Sequence, residues 1–509
     1  MRILMMVPPE EYYMVASIHK ALDHKREHRP LLGILSVATY LKNRRPDVEL
    51  KFIDGRAEEL SFNDVTNIIR EFQPDLVGLT CLTFNYYDTL RTARVIKEAC
   101  PTANVCIGGW HTTLYPQETL EQKEVDYVVF GEGERTFLEL VNAVSQGGTL
   151  TGVLGLGFKA YGHAVINASR PAEDEPQQRD ALGMGAPISV HGELARRMRL
   201  MVNRKRPVDK MLDEIDFPDF TLVDISRYSH ILDRGFGVTL PIESSRGCPF
   251  ACSFCDIRRS QFRYRSPELI ADEMERWAHK GVRSFFFVDD NITVNKPRAL
   301  RLFQEIVRRN INVEFKVSSR IDRLDDEIMH WMKQAGVSRV SVGLETSKQK
   351  YLDLMQKEIT VEQIEDCLAR ARKIGLPIFA YMMIGLPGET RKEMLEEVDF
   401  LNKHRVEYAS FSIMTVYPKT ELLRQVLASG HLKEDPWQSF AESPVPEMQA
   451  PYVNGLYSGE ELKRIQLEVT RRFYFSPRVL YRRVREVRSF KAFVQRARLA
   501  LRFLGVAGA

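Results

Sequence analysis

Three cysteines carry the strongest chemical signal in the sequence. Cys248, Cys252 and Cys255 stand in the run ESSRGCPFACSFCDI, a C-x3-C-x2-C spacing. Three thiolates so placed can wrap one loop around a metal or cluster. Zinc sites usually draw four protein ligands, as two Cys pairs or as Cys with His. Here no fourth Cys or His stands nearby, and the next cysteine is Cys367. Three protein ligands leave one metal corner open, and at a cubane iron–sulfur cluster an open iron can bind a substrate or cofactor directly. The remaining cysteines, Cys81, Cys100, Cys106 and Cys367, are scattered. A sparse, odd set of seven does not read as a secreted disulfide framework.

A second group of polar and glycine residues recurs at the ends of short apolar runs. In the C-terminal half, runs at 242–244, 284–288, 314–317, 340–344, 379–384 and 408–416 read as strands separated by helical patterns. They end in Asp289-Asp290-Asn291, Ser319-Arg320, Glu345-Thr346, the glycine turn from Gly385 to Gly388, and Tyr417-Pro418. Six strand–helix units predict a barrel whose active site lies at the carboxyl ends of its strands. In the N-terminal half, strands expected at 3–7, 48–53, 75–80, 104–107 and 127–130 alternate with helices at 31–41, 62–72 and 89–98. That alternation predicts a parallel, doubly wound sheet, with ligands beyond its strand ends. Those ends carry Asp54, Thr80 to Thr83, Gly108-Gly109 and Gly131-Glu132-Gly133. Neither G-x-G-x-x-G nor a Walker A loop follows the first strand, so a dinucleotide site is not expected.

The whole chain must house both units. At 509 residues it is long enough for two to four domains, and its 44% hydrophobic and 28% charged residues are globular values. The expected division is 1–150, a linker at 151–235, the barrel at 236–425 and a helical basic region at 426–509. The first residues hold no signal-peptide core and no apolar run reaches 18 residues, so a cytoplasmic protein is expected. The net charge of +4 does not mark a nucleic-acid binder. It averages +10 over 471–509 against −6 over the rest. That tail reads either as helices packed on the barrel or as an amphipathic contact with a membrane surface.

The C-x3-C-x2-C motif, with Phe254 before its last Cys, resembles the signature of the radical S-adenosylmethionine superfamily. The resemblance implies a partial (β/α)6 barrel in which Cys248, Cys252 and Cys255 bind a [4Fe-4S] cluster. The fourth iron is chelated by S-adenosylmethionine, whose reductive cleavage gives a 5′-deoxyadenosyl radical that abstracts hydrogen. It further implies that Asp289, Asp290 and Asn291 lie at the methionine amino group, Ser319 and Arg320 at the ribose or carboxylate, Glu345 at the ribose, and Gly385 near the adenine. The runs LVGLTCLT and IGGWHTT resemble a cobalamin-binding domain, which implies that Thr80, Thr83, Gly108 and Gly109 receive the cofactor's nucleotide tail. The D-x-H-x-x-G motif is absent, since Asp23 and His24 are adjacent, so no lower histidine ligand is expected from it. Together the two resemblances imply a cobalamin-binding radical S-adenosylmethionine enzyme with a small-molecule substrate and an electron donor such as flavodoxin or ferredoxin. The leading expectation is methyl transfer to an unactivated carbon of a substrate that is lipid-like or a tetrapyrrole. The alternatives are an oxidative cyclase or other radical rearrangement, and a non-catalytic corrinoid or cluster sensor.

Overall fold

A computed structural model describes residues 1–12, 14, 29–161, 198–228, 238–446 and 448–485. The central strands of the first sheet are apolar runs whose side chains are buried on both faces, as parallel strands between helices require. Its strands are β1 (Arg2–Val7), β2 (Glu49–Asp54), β3 (Leu76–Thr80), β4 (Asn104–Gly108), β5 (Tyr127–Val129), β6 (Leu156–Tyr161) and β7 (Met198–Val202). They lie in the order β2-β1-β3-β4-β5-β6-β7, parallel through β5 and antiparallel for the last two. The segment expected as a linker thus contributes the β6–β7 pair to the sheet edge. The order reverses between β1 and β3, which opens a crevice at their carboxyl ends. Helices α1 (Leu32–Arg44), α2 (Phe62–Phe72), α3 (Tyr86–Ala99), α4 (Trp110–Leu114), α5 (Pro116–Glu121) and α6 (Gly133–Gln146) connect the strands. Helix α2 starts at a capping box in which Ser61 and Asp64 satisfy each other's backbone N–H groups.

The second sheet contains β8 (Thr239–Ile242), β11 (Ser284–Phe287), β12 (Glu314–Ser319), β13 (Val337–Glu345), β14 (Ile378–Ile384) and β15 (Tyr408–Ile413). All pair in parallel and in chain order, with β8 and β15 at the two edges. This is the open, six-stranded barrel that the apolar runs predict. Between β8 and β11, the short strands β9 (Ser245–Arg246) and β10 (Arg263–Tyr264) pair and tie off the cysteine loop. Strand β8 therefore stops at Ile242, two residues before its expected end.

Helices α7 (Pro267–His279), α8 (Lys296–Arg308), α9 (Asp326–Gln334), α10 (Gln349–Leu354), α11 (Val361–Ile374) and α12 (Arg391–Lys403) cover the barrel. Their buried faces, with Phe303 of α8 among them, meet Phe285, Phe287 and Phe315 of the strands in a continuous core. After β15 come α13 (Glu421–Ala428), α14 (Pro436–Glu442), α15 (Gly459–Tyr474) and α16 (Pro477–Arg485). Helix α15 packs on the barrel through Phe473, edge-on to Phe411 at 5.9 Å. Helix α14 packs on the first sheet's helices, where Phe440 meets Tyr86 at 6.0 Å. The tail beyond residue 485 and the Asp23-His24 pair lie outside the described residues. Among the described residues no helix is long and apolar enough to cross a membrane.

Candidate active site

The cysteine loop is held at both ends. Gly247 has φ +86°, and a Cβ there would stand 2.3 Å from the Gln261 carbonyl oxygen, so the turn into the loop requires glycine. The Ser260 hydroxyl accepts from the Cys248 N–H at 2.8 Å. Ser253 anchors the middle, donating its N–H to the Met355 carbonyl at 2.9 Å and accepting from Leu422 at 2.8 Å. Cys252 is buried, whereas Cys248 and Cys255 are partly exposed. Burial pushes the Cys248 thiol up, and pushes that of Cys255 to about 12. Among the described residues no three metal-binding side chains converge on one point. A cubane holds each thiolate on a different iron, so its ligands need no such convergence.

The strand ends surround this loop. Asp289 faces inward to the fold, accepting from the Ser244 N–H at 3.1 Å, the Ser244 hydroxyl at 2.6 Å and the Ser245 hydroxyl. Asp290 is left toward the loop, where burial and then Asp289 raise its carboxyl to about 6 while the Gly247 N–H opposes the shift. Asn291 accepts from Thr293 through Oδ1, yet its buried Nδ2 has no partner. The Ser319 hydroxyl bonds Thr293 at 2.6 Å. Arg320 Nη1 lies 3.5 Å from Cys252 Sγ. Glu345 has φ +66° and is locked to Lys357 Nζ at 2.5 Å. Gly385 opens a loop clamped by Asn454, whose amide donates to the carbonyls of Leu386 at 2.7 Å and Glu389 at 2.9 Å. In that loop the Glu389 carboxyl is fully buried, raised to about 8 by burial, and leaves Oε1 unpaired.

On the first sheet, Gly109 has φ +115° and a Cβ would meet the Cys81 carbonyl at 2.5 Å, so the turn after β4 presses directly on the end of β3. That contact brings Thr83, at the start of the next helical turn, within 3.2 Å of His111 Nδ1. Thr80 and Gly108 are adjacent partners on β3 and β4. His111 is fully buried and stacks on Tyr86 at 3.8 Å. Burial lowers its pKa to about 3, so the ring is neutral, and Nε2 has no partner. The nearby Tyr115 hydroxyl is also unpaired and buried.

The two strand-end regions face each other and are tied together. Arg246, two residues before Cys248, bonds Glu134 at 2.8 Å and Glu132 at 3.3 Å. Arg263 bonds the same Glu132 carboxylate. Trp110, the first residue of α4, donates to the carboxylate of Asp256, next to Cys255. The acidic run after β5 signals this contact only as a strand end. The arginines that meet it lie more than a hundred residues away, and their spacing carries no such signal.

The chain matches the Radical SAM superfamily over 242–401 and the B12 binding domain over 27–141. It is 30% identical over 496 residues to the uncharacterized methyltransferase PH0819 of Pyrococcus horikoshii, with 96% of both chains covered. The chain belongs to the cobalamin-dependent radical SAM enzymes. Within that family it is 27% identical over 403 residues to the anaerobic magnesium-protoporphyrin IX monomethyl ester cyclase of Rubrivivax gelatinosus, covering 78% of this chain and 66% of the cyclase. It shares its fold with the radical S-adenosylmethionine methyltransferase TsrM of Kitasatospora setae, solved with cobalamin and a [4Fe-4S] cluster. There the TM-score is 0.61 at 19% identity, with 84% of this chain and 78% of that one covered. The donors present fit a radical SAM enzyme's cofactors. Three thiols share one loop, and the orphaned polar atoms of Asn291, His111 and Tyr115 border the two strand-end regions.

Proposed function

We propose that this protein transfers a methyl group to an unactivated carbon of a small molecule. One observation carries the reading: the ion pairs of Arg246 and Arg263 with Glu132 and Glu134 hold the cysteine loop against the strand ends of the first sheet. A radical made on the barrel side would then meet a methyl donor on the other side of one shared space. When bound, the cluster supplies the electron that splits S-adenosylmethionine, and cobalamin supplies the methyl group.

On this reading Cys248, Cys252 and Cys255 hold the cluster, which an external donor such as flavodoxin or ferredoxin reduces. Asp290 would offer a carboxylate to the methionine amino group, and the Asn291 amide a free N–H. Asp289 orients this pair by fixing the turn through Ser244 and Ser245. The Asn454 clamp holds the Gly385 loop in place for an adenine ring. Thr80, Thr83, Gly108 and Gly109 would receive the tail of cobalamin. The neutral His111, paired to Thr83, keeps a second ring nitrogen available there. The substrate class remains a tetrapyrrole or a lipid-like molecule, and the named cyclase relative favours the first.

That relative also supports a second reading, oxidative ring formation without methyl transfer. Methyl-labelled S-adenosylmethionine separates the two. Label recovered in product is expected here. A product that gains no label while substrate is oxidised overturns methyl transfer in favour of the second reading.

A further inference from the structure

We propose that Arg320 sets the reduction potential of the cluster through a charged hydrogen bond to the sulfur of Cys252. The inference rests on the reading of Cys252 as a cluster ligand. Arg320 and Cys252 are both more than nine-tenths buried. The guanidinium is fixed at four points. Nη1 points at Cys252 Sγ at 3.5 Å, Nη2 donates to the Lys357 carbonyl at 2.7 Å, and Nε to Asp322 at 2.9 Å. Its plane lies over the Phe250 ring at 4.0 Å, within the cysteine loop itself. Lysine could not replace it, because only a planar fork serves three acceptors in fixed directions.

Among the described residues this is the only side chain that donates to any of the three thiols. Of the other cations near the loop, Lys357 is engaged by Glu345 at 2.5 Å, Arg258 donates to the Ala251 carbonyl at 2.8 Å and Arg323 stands over the Phe250 ring at 5.1 Å. Hydrogen bonds to the sulfurs, net charge and exposure set a cluster's potential. Reduction adds negative charge, and a fixed positive charge in a buried setting stabilises the reduced state. The Asp322 carboxylate offsets part of the Arg320 charge, but Arg320 aims an N–H at a thiol, so it raises the potential and makes the cluster easier to reduce. The place that the family resemblance gives this residue, at the ribose or carboxylate, makes a different demand on it.

The test is a redox titration of the anaerobically reconstituted full chain, followed by electron paramagnetic resonance without S-adenosylmethionine. Arg320→Met is expected to cut the reduced-to-oxidised ratio at fixed potential at least tenfold, about 59 mV downward for one electron. Arg320→Lys is expected to shift it the same way by less. S-adenosylmethionine binding is measured alongside by equilibrium dialysis. Unchanged midpoints with weakened binding overturn the proposal and assign Arg320 to the cosubstrate. If Arg320→Met assembles no cluster, the lysine variant decides, and an unchanged midpoint there overturns the proposal. A wild-type chain that takes up iron and sulfide but gives no cluster signal refutes the cysteine reading instead.

Discussion

At the scale of single residues, the cysteine loop and the carboxyls around it make different demands on the fold. Cys252 is the buried member of the three, held between Arg320 and the anchored Ser253. Replacing it by alanine should abolish iron and sulfide incorporation, measured by chemical analysis after reconstitution, while circular dichroism stays that of the wild type. Glu389 gives a pH signature. Burial raises its folded pKa to about 8 from an ordinary value near 4.5, so the folded state holds a proton that the unfolded state releases. Stability from this group is therefore present below pH 4.5 and is lost as pH rises toward 8. Glu389→Gln, which keeps an acceptor for the Leu386 N–H, should gain on the wild type across that window by on the order of 3 kcal/mol. Thermal melts at pH 5 and pH 8 check it; a difference that does not grow with pH contradicts the neutral carboxyl. The three cysteines stand out as a candidate site by their spacing in the sequence. The Arg320 contact does not, because it joins a strand end to a loop 68 residues earlier.

At the scale of elements, the parallel strands of both sheets were readable because most of them carry short runs of apolar residues between helices. The runs at 3–7 and 284–288 needed no partner to be recognised. Helices α4, α5 and α10 escaped notice because five or six residues are too few for a periodic stripe. That β6 and β7 extend the first sheet was not legible, because its edge strands are separated by a long stretch of sequence. Turns that depend on one residue are the most exposed to mutation. Gly109→Ala must place a Cβ 2.5 Å from a backbone oxygen at φ +115°. It should destabilise the protein by about 2 kcal/mol and weaken cobalamin binding at least tenfold. Denaturant unfolding and a titration followed at visible wavelengths measure the two. Wild-type values for both would show that the turn after β4 yields without consequence.

At the scale of the whole molecule, the two sheets are joined by apolar contacts such as Phe440 on Tyr86 and by a few charge pairs. Burial pushes the Glu134 carboxyl up, but the Arg246 charge and hydrogen bond, its own backbone N–H and the Ser36 hydroxyl together bring it below its ordinary range. Arg246→Met would leave that buried carboxylate without a cation, with the Ser36 hydroxyl at 2.8 Å and its own backbone N–H as remaining donors. The cost of stranding one partner of a buried pair is about 3–5 kcal/mol. Chemical denaturation of Arg246→Met should show that loss, and Arg246→Met/Glu134→Gln should recover part of it. No recovery would mean that Arg246 matters for another reason. This joint was not legible in the sequence, since nothing in either motif marks its partner across a hundred residues. The central claim is that one chain brings a reducing cluster and cobalamin to a shared space to do radical chemistry. The most direct measurement is 5′-deoxyadenosine released by the reduced enzyme after reconstitution with iron, sulfide and hydroxocobalamin. The account predicts that it forms and that Cys252→Ala abolishes it. Enzyme that binds both cofactors yet never releases 5′-deoxyadenosine would contradict the account.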